Sequence, residues 1–204
     1  MSDVQLAVLQ TVRLKGRTTP EDVAATAAIA EDAAAQTLSE LVSAGTCQEA
    51  NGRYRLTPEG REQLADWLAD ERAGVDGAAI AELYERFTEL NAAFKELASD
   101  WQLRDGEPND HSDPAYDQAV LDRLAELDQS FAPLVAEIAT AAPRLAPYPG
   151  RFAAALDRVN AGDHTFFLRP VIDSYHTVWF ELHEDLIGLA GLSREAEAAA
   201  GRAE

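Results

Sequence analysis

Residues 47–60 read CQEANGRYRLTPEG, and the segments on either side take their meaning from this stretch. Cys47–Ala50 and Arg53–Leu56 flank Asn51-Gly52, the dipeptide that best tolerates the two left-handed residues of a tight hairpin turn. Thr57-Pro58 then supplies a helix cap followed by a proline at the first helical position. The helix it opens is expected to run to about Arg72. Upstream, Asp3–Leu14 carries Val4, Leu6, Val8, Leu9 and Val12 at helical spacing, and Lys15-Gly16-Arg17 breaks it. Thr19-Pro20-Glu21-Asp22 starts a second helix, Pro20–Ala27. A third, Glu31–Ala44, ends at Gly45, a candidate left-handed cap. Ala73–Gly77 reads as a hinge.

Three helices, a short hairpin and a further helix opened by Leu56-Thr57-Pro58-Glu59-Gly60-Arg61 make the order of a winged helix-turn-helix. The module resembles the MarR and PadR groups of bacterial transcriptional regulators over the first third of the chain. That resemblance implies a third helix in the major groove and a wing on the DNA backbone. Asp32, Ala33, Gln36 and Thr37 would then face the bases, with Arg53 and Arg55 on the wing.

Charge bears directly on that expectation. The chain has 17 Lys and Arg against 36 Asp and Glu, a net −19, so its average surface repels nucleic acid and anionic membranes. Residues 1–72 hold seven basic and twelve acidic side chains, a balance of −5, and residues 73–204 hold ten and twenty-four, a balance of −14. Most of the acid therefore lies outside the first module. Within it, Glu31–Ala44 has no Lys or Arg. Gln36 and Thr37 are left as base readers, and Arg13, Lys15, Arg17, Arg53 and Arg55, with Arg61, as phosphate contacts. Cys47 is the sole cysteine, which excludes an intrachain disulfide and a thiolate metal cluster. With no basic-then-apolar leader and no 18-residue apolar run, the chain is expected in the cytoplasm.

The second half reads as a four-helix cluster with no strand signal. Its helices are expected at Ala79–Trp101, Pro114–Ala142 (bent near Pro133), Tyr148–Ala161 and Pro170–Ala190, with a polar loop over Gln102–Asp113. The Ala/Glu-rich tail from Ser193 to Glu204 is expected to fray. A helical wheel over Pro170–Ala190 puts Asp173, His176, Phe180, His183 and Ile187 on one arc beside the apolar centre Ile172, Tyr175, Trp179, Leu182 and Leu186. Arg169 precedes it. Asn91 and Asp117 fall inside the apolar sides of the first two helices. Buried polar groups need partners. They are either a core network, with pairs such as Arg169–Asp173 and His176–Asp117, or the lining of a small-molecule pocket. The pocket reading gathers Asn91, Trp101, Arg104, His111, Tyr116, Asp117, Arg169, Asp173, His176, Trp179 and His183. A metal held by His111, Asp173, His176 and His183 is a weaker alternative, since residues seven apart on a helix sit about 10.5 Å apart along its axis. Ser174 and His176 point to different sides of a helix and no Gly-rich phosphate loop is present, so nucleophilic catalysis finds little support.

The sequence thus predicts a mainly α chain: a winged helix over residues 1–73, a four-helix sensing and dimerisation domain over 79–192, and a tail over 193–204. The expected function is a homodimeric one-component regulator that binds double-stranded DNA and a small-molecule effector, with no cofactor and no membrane contact. The alternative is a ligand- or metal-binding helical protein, with or without enzymatic activity, whose first module serves protein contact.

Overall fold

The computed structural model describes residues 2–199 and 201. The chain is mainly helical and divides into two compact units, Met1–Val75 and Asp76–Glu204. Among the described residues no helix is long and apolar enough to cross a membrane.

The first unit runs α1 (Asp3–Lys15), α2 (Pro20–Ala27), α3 (Glu31–Ser43), β1 (Cys47–Ala50), β2 (Arg53–Leu56) and α4 (Pro58–Gly74). Local chemistry sets most of these limits. Ser2 with Gln5 and Thr19 with Asp22 form reciprocal capping boxes, each satisfying two otherwise orphaned N–H groups. At the end of α3, Gly45 takes φ +77. Its N–H bonds Val42 O, and the Thr46 N–H bonds Leu41 O, the paired bonds of a Schellman cap. Asn51 and Gly52 have φ +55 and +72, so the β1–β2 hairpin turns as its dipeptide requires. Leu6, Val8, Leu9 and Val12 of α1 meet Val23, Leu38, Leu41, Leu56 and Leu64 in one buried core, with Trp67 packed against it. Cys47 is buried there too, and burial pushes its thiol up to about 11, which keeps it an unreactive hydrophobe at neutral pH.

Thr18 adds a pairing that sequence patterning does not reveal. Its N–H donates to Tyr54 O at 3.1 Å, and the Tyr54 N–H donates back to Thr18 O at 2.8 Å, an antiparallel bridge that ties the α1–α2 connection to the edge of β2.

The second unit contains α5 (Gly77–Gln102), β3 (Leu103–Arg104), β4 (Glu107–Pro108), α6 (Pro114–Ala141), a 3-10 turn at Pro143–Leu145, α7 (Tyr148–Asn160), α8 (Thr165–Leu168), α9 (Tyr175–Leu189) and α10 (Arg194–Ala199). The four long helices close a ring, with α5 on α6, α6 on α7, α7 on α9, and α9 on α5. Trp179 of α9 is its centre. The indole lies 4.4 Å from the Phe94 ring and 4.3 Å from that of Phe131, and its Nε1–H donates to Asn91 Oδ1 at 2.8 Å. The buried Asn91 thus satisfies the one polar atom of the tryptophan.

Three expectations are corrected here. The polar loop after α5 contains a two-stranded hairpin, β3 with β4. Its turn is Asp105-Gly106, both at positive φ, another dipeptide suited to that geometry. No helix starts at Pro170. Arg169 is extended before the proline, as X-Pro geometry favours, and Val171 stands at φ +75, costly for a β-branched residue. Helix α9 begins only where the Ser174 side chain accepts the Thr177 N–H. Lastly, residues 194–199 of the tail form α10 rather than fraying. The buried Glu197 accepts a 2.6 Å hydrogen bond from the Tyr84 hydroxyl, and Arg194 pairs with Glu184. Residues 200 and 202–204 of that tail lie outside the described residues.

Candidate functional site

In the first unit, strand alternation sorts the side chains of β2. Leu56 is buried and Tyr54 half-buried, whereas Arg53 and Arg55 are exposed on the outer face. Pairing of Arg55 with Gln48 and of Tyr54 with Thr18 makes a narrow ribbon, and Arg17 directly precedes the bridged Thr18 at its edge. Arg17, Arg53 and Arg55 are all exposed, and none pairs with a carboxylate among the described residues. Arg53 and Arg55, on one face of a short strand, repel one another, a cost that an anionic partner would remove. Arg13 is engaged differently, since its Nε donates to Gln10 Oε1 at 2.9 Å. The exposed side of α3 presents Glu31, Asp32, Gln36, Ser39 and Glu40, and Gln36 bonds Glu40 at 3.1 Å. Thr37 is a correction. It is buried at 7% exposure, because its position on α3 falls beside Leu38 and Ala34 on the core side, so it cannot meet a base.

In the second unit, the residues expected in one pocket divide among three places. Asn91, His176, Trp179 and His183 line a cavity of about 30 Å³ with Phe94, Lys95, Phe180 and Arg194. That volume takes one or two waters rather than a metabolite. Trp101, His111, Asp117 and Arg169 line a separate open groove of about 350 Å³ with His164, Thr165 and Leu168, a size suited to a small metabolite. The remaining three residues are structural. Arg104 pairs with Asp113 at 2.9 Å and lies over the Tyr116 ring, while the Tyr116 hydroxyl donates to Asp100 O at 2.9 Å. Asp173 bonds Arg151 at 3.0 Å, not Arg169.

The groove is built by the end of α5, the start of α6 and α8. Asn109 organises one wall. Its Nδ2 donates to Asp117 Oδ1 at 3.0 Å and to Trp101 O at 3.2 Å, and its Oδ1 accepts the His111 N–H at 3.1 Å. His111 is held at φ +57 with Nδ1 3.0 Å from Asp117 Oδ2. A carboxylate only accepts, so Nδ1 carries a proton and donates to Asp117. His111 and His164 both contact the Trp101 ring, at 4.6 and 5.7 Å. His176 is thus not the partner of Asp117. The metal alternative is also overturned: His111, Asp173 and the His176–His183 pair belong to different surroundings, and among the described residues no three His, Cys, Asp or Glu side chains converge on one point.

Around the small cavity, the Tyr84 hydroxyl donates to Glu197 and lies 3.3 Å from His183 Nε2, which assigns the proton to Nε2 of the neutral imidazole. Burial, against opposing pulls from Glu184 and Glu197, lowers the His183 pKa from 6.5 to about 4. An unfolded chain therefore binds a proton at His183 that the folded one refuses. Its contribution to stability is complete above pH 6.5 and is lost as the pH falls towards 4. The melting temperature of the second unit should fall through that window, and His183→Gln should flatten the fall. An unchanged slope in the variant would assign the acid sensitivity to other groups.

Sequence reasoning missed the buried ionic layer beneath α9. Arg151 reaches Glu181 at 2.5 Å, Arg144 reaches Asp185 at 2.9 Å, and Tyr148 donates to Asp185 at 2.7 Å. Burial opposes the charge on Arg151, but Glu181 and Asp173 outweigh it and hold the guanidinium pKa above its ordinary value. Six other arginines of the described second unit also pair with carboxylates: Arg86 with Glu137, Arg104 with Asp113, Arg123 with Asp100, Arg144 with Asp185, Arg158 with Asp163 and Arg194 with Glu184. Arg169 alone among them pairs with none.

These features define a class no narrower than a mainly helical, two-unit protein with an arginine-faced ribbon and a polar groove. Comparison of the chain with models of protein families, with curated proteins and with solved structures found no match.

Proposed function

We propose that the chain is a DNA-binding regulator whose first unit acts as a winged helix and whose second unit receives a small-molecule effector. The observation that carries this reading is that Arg53 and Arg55 on the outer face of the ribbon, and the exposed Arg17 at its edge, pair with no carboxylate among the described residues of an acidic chain. The Thr18–Tyr54 bridge supports it by adding a third strand position beside the hairpin. The resemblance of the sequence to the MarR and PadR groups supports it over the same segment. In this reading the ribbon supplies the affinity through phosphates, and Gln36 alone is left near the bases. A homodimer would double the three arginines to six. The groove, by its size and its histidines, is the place for the effector.

Binding to duplex DNA should be measurable at about 50 mM salt and fall by orders of magnitude by about 200 mM, because each neutralised phosphate contributes about 0.9 to the slope of log K on log salt. The combined Arg17→Ala, Arg53→Ala and Arg55→Ala variant should weaken binding at least tenfold and reduce that slope by about 0.9 for each phosphate left without its arginine. Fluorescence anisotropy over a salt series checks both, with Arg123→Ala as a control whose slope should not move. A triple variant with the wild-type slope would remove the ribbon from the interface. The acidic exposed side of α3 favours a second reading, a module that docks on a basic protein surface. Absence of DNA binding even at the lowest salt would select it.

A further inference from the structure

The groove beside Trp101 has a chemistry of its own, and its ligand class follows from one unmatched charge. The second unit carries a balance of −14, and carboxylates neutralise all of its described arginines except Arg169. Arg169 is thus the described arginine of this unit whose guanidinium no carboxylate already holds. Arg169 is exposed and lines the groove together with His164, His111 and Thr165. Arg169 and the two histidines supply a planar fork of donors and two imidazoles, while the Thr165 hydroxyl is given to Asp163. The carboxylate among the lining residues, Asp117, is already bound by Asn109 and His111. It is therefore turned to its own partners and leaves Arg169 available to an external oxyanion.

We infer that the groove is a binding site for a small metabolite bearing a phosphate ester or carboxylate, with the oxyanion on Arg169 and the rest of the molecule along His164 and His111. This assignment rests on the effector reading and gives it a ligand class. Guanidinium is suited to such a group because its parallel N–H donors match two oxygens at once. His111 and Asp117 are preset by the Asn109 network, so little ordering is needed there on binding.

The test uses the full chain without DNA, so that its outcome is independent of whether the first unit binds nucleic acid. Inorganic phosphate and acetate serve as minimal probes, and NMR signals of the Trp101 indole and the His111 and His164 rings report on the groove. At least one probe should shift these signals saturably. Arg169→Gln should weaken that binding about tenfold, the usual worth of a charged hydrogen bond, while Arg123→Gln, which removes a paired surface arginine, should leave it unchanged. Saturation by phosphate alone assigns a phosphate ester, by acetate alone a carboxylic acid, and by both an oxyanion site without preference. No saturable shift with either probe, or equal binding by Arg169→Gln, would overturn the assignment. Loss of DNA binding with the groove intact would overturn only the regulator reading.

Discussion

Arg151→Met should destabilise the second unit by about 3–5 kcal/mol, the cost of stranding a buried charge. Arg151 is 8% exposed and Glu181 only 1%, and the 2.5 Å hydrogen bond between them is what makes the burial of either tolerable. Removing the guanidinium takes from the buried Glu181 carboxylate the cation it meets at 2.5 Å. Asp173 matters less because its side chain is 35% exposed and water can replace its partner. A unit of this size should lose on the order of 10 °C or more in Tm. Calorimetry of the single variant would check the drop, and the double variant Arg151→Met, Glu181→Leu would identify its cause. Replacing a buried pair by apolar groups of similar volume is often neutral or stabilising, so the double variant should recover most of the loss. If the double variant melts no higher than the single one, the destabilisation comes from the packing of the guanidinium over the Tyr148 ring and not from stranded charge.

What the sequence made legible follows the range of the interactions involved. The caps at Thr19 and Thr57, the turn at Asn51-Gly52 and the apolar spacing of Ile80, Leu83, Phe87 and Phe94 are set by neighbours a few residues apart, and each can be read from a short window. The Thr18 bridge is a single residue paired with one thirty-six positions away, so no periodicity announces it. Pro170 misleads for a physical reason. A proline is welcome at the first turn of a helix, yet the strained Val171 and the cap at Ser174 place the helix start five residues later, at Tyr175.

The site is legible in its residue types and not in its geometry. Asn91, His176, His183, His111 and Asp117 stand out as polar groups on apolar faces, but a helical wheel says nothing of which helix each faces. The α9 stripe closes on a water-sized cavity because Trp179 fills the centre of the ring, whereas the groove opens where α5 ends and α8 begins. His164 belongs to that groove but sits in a turn, where spacing carries no signal. The availability of Arg169 emerges only once the other arginines are seen to be paired.

Gly60→Ala should disrupt the first unit more than any other single-methyl change. A Cβ built at Gly60 would stand 1.9 Å from the carbonyl oxygen of Thr46 and 2.8 Å from its carbonyl carbon, and both atoms belong to the backbone. Neither can move aside alone. The Thr46 carbonyl accepts the Thr57 N–H at 3.1 Å, the Thr57 hydroxyl donates to Gly45 O at 2.7 Å, and the Gly60 N–H in turn donates to Thr57 Oγ1 at 2.9 Å. The Thr57-Pro58-Glu59-Gly60 motif therefore joins the start of α4 to the entry of β1 at a separation that only glycine permits. Inserting a methyl group into a packed site costs about 1–3 kcal/mol, and a rigid backbone obstacle places this one at or above the upper end. Because α4 and β1 both feed the Leu56–Leu64 part of the core, the ribbon that carries Arg53 and Arg55 should loosen with it. Hydrogen exchange across residues 2–75 would check this, with Gly74→Ala as the reference. Gly74 lies in the last turn of the same helix with nothing within 4 Å of a built Cβ, so alanine there should be neutral or mildly stabilising, by up to about 1 kcal/mol. Equal protection in the two variants would show that α4 can withdraw from Thr46 at no cost, and the motif would then need another explanation.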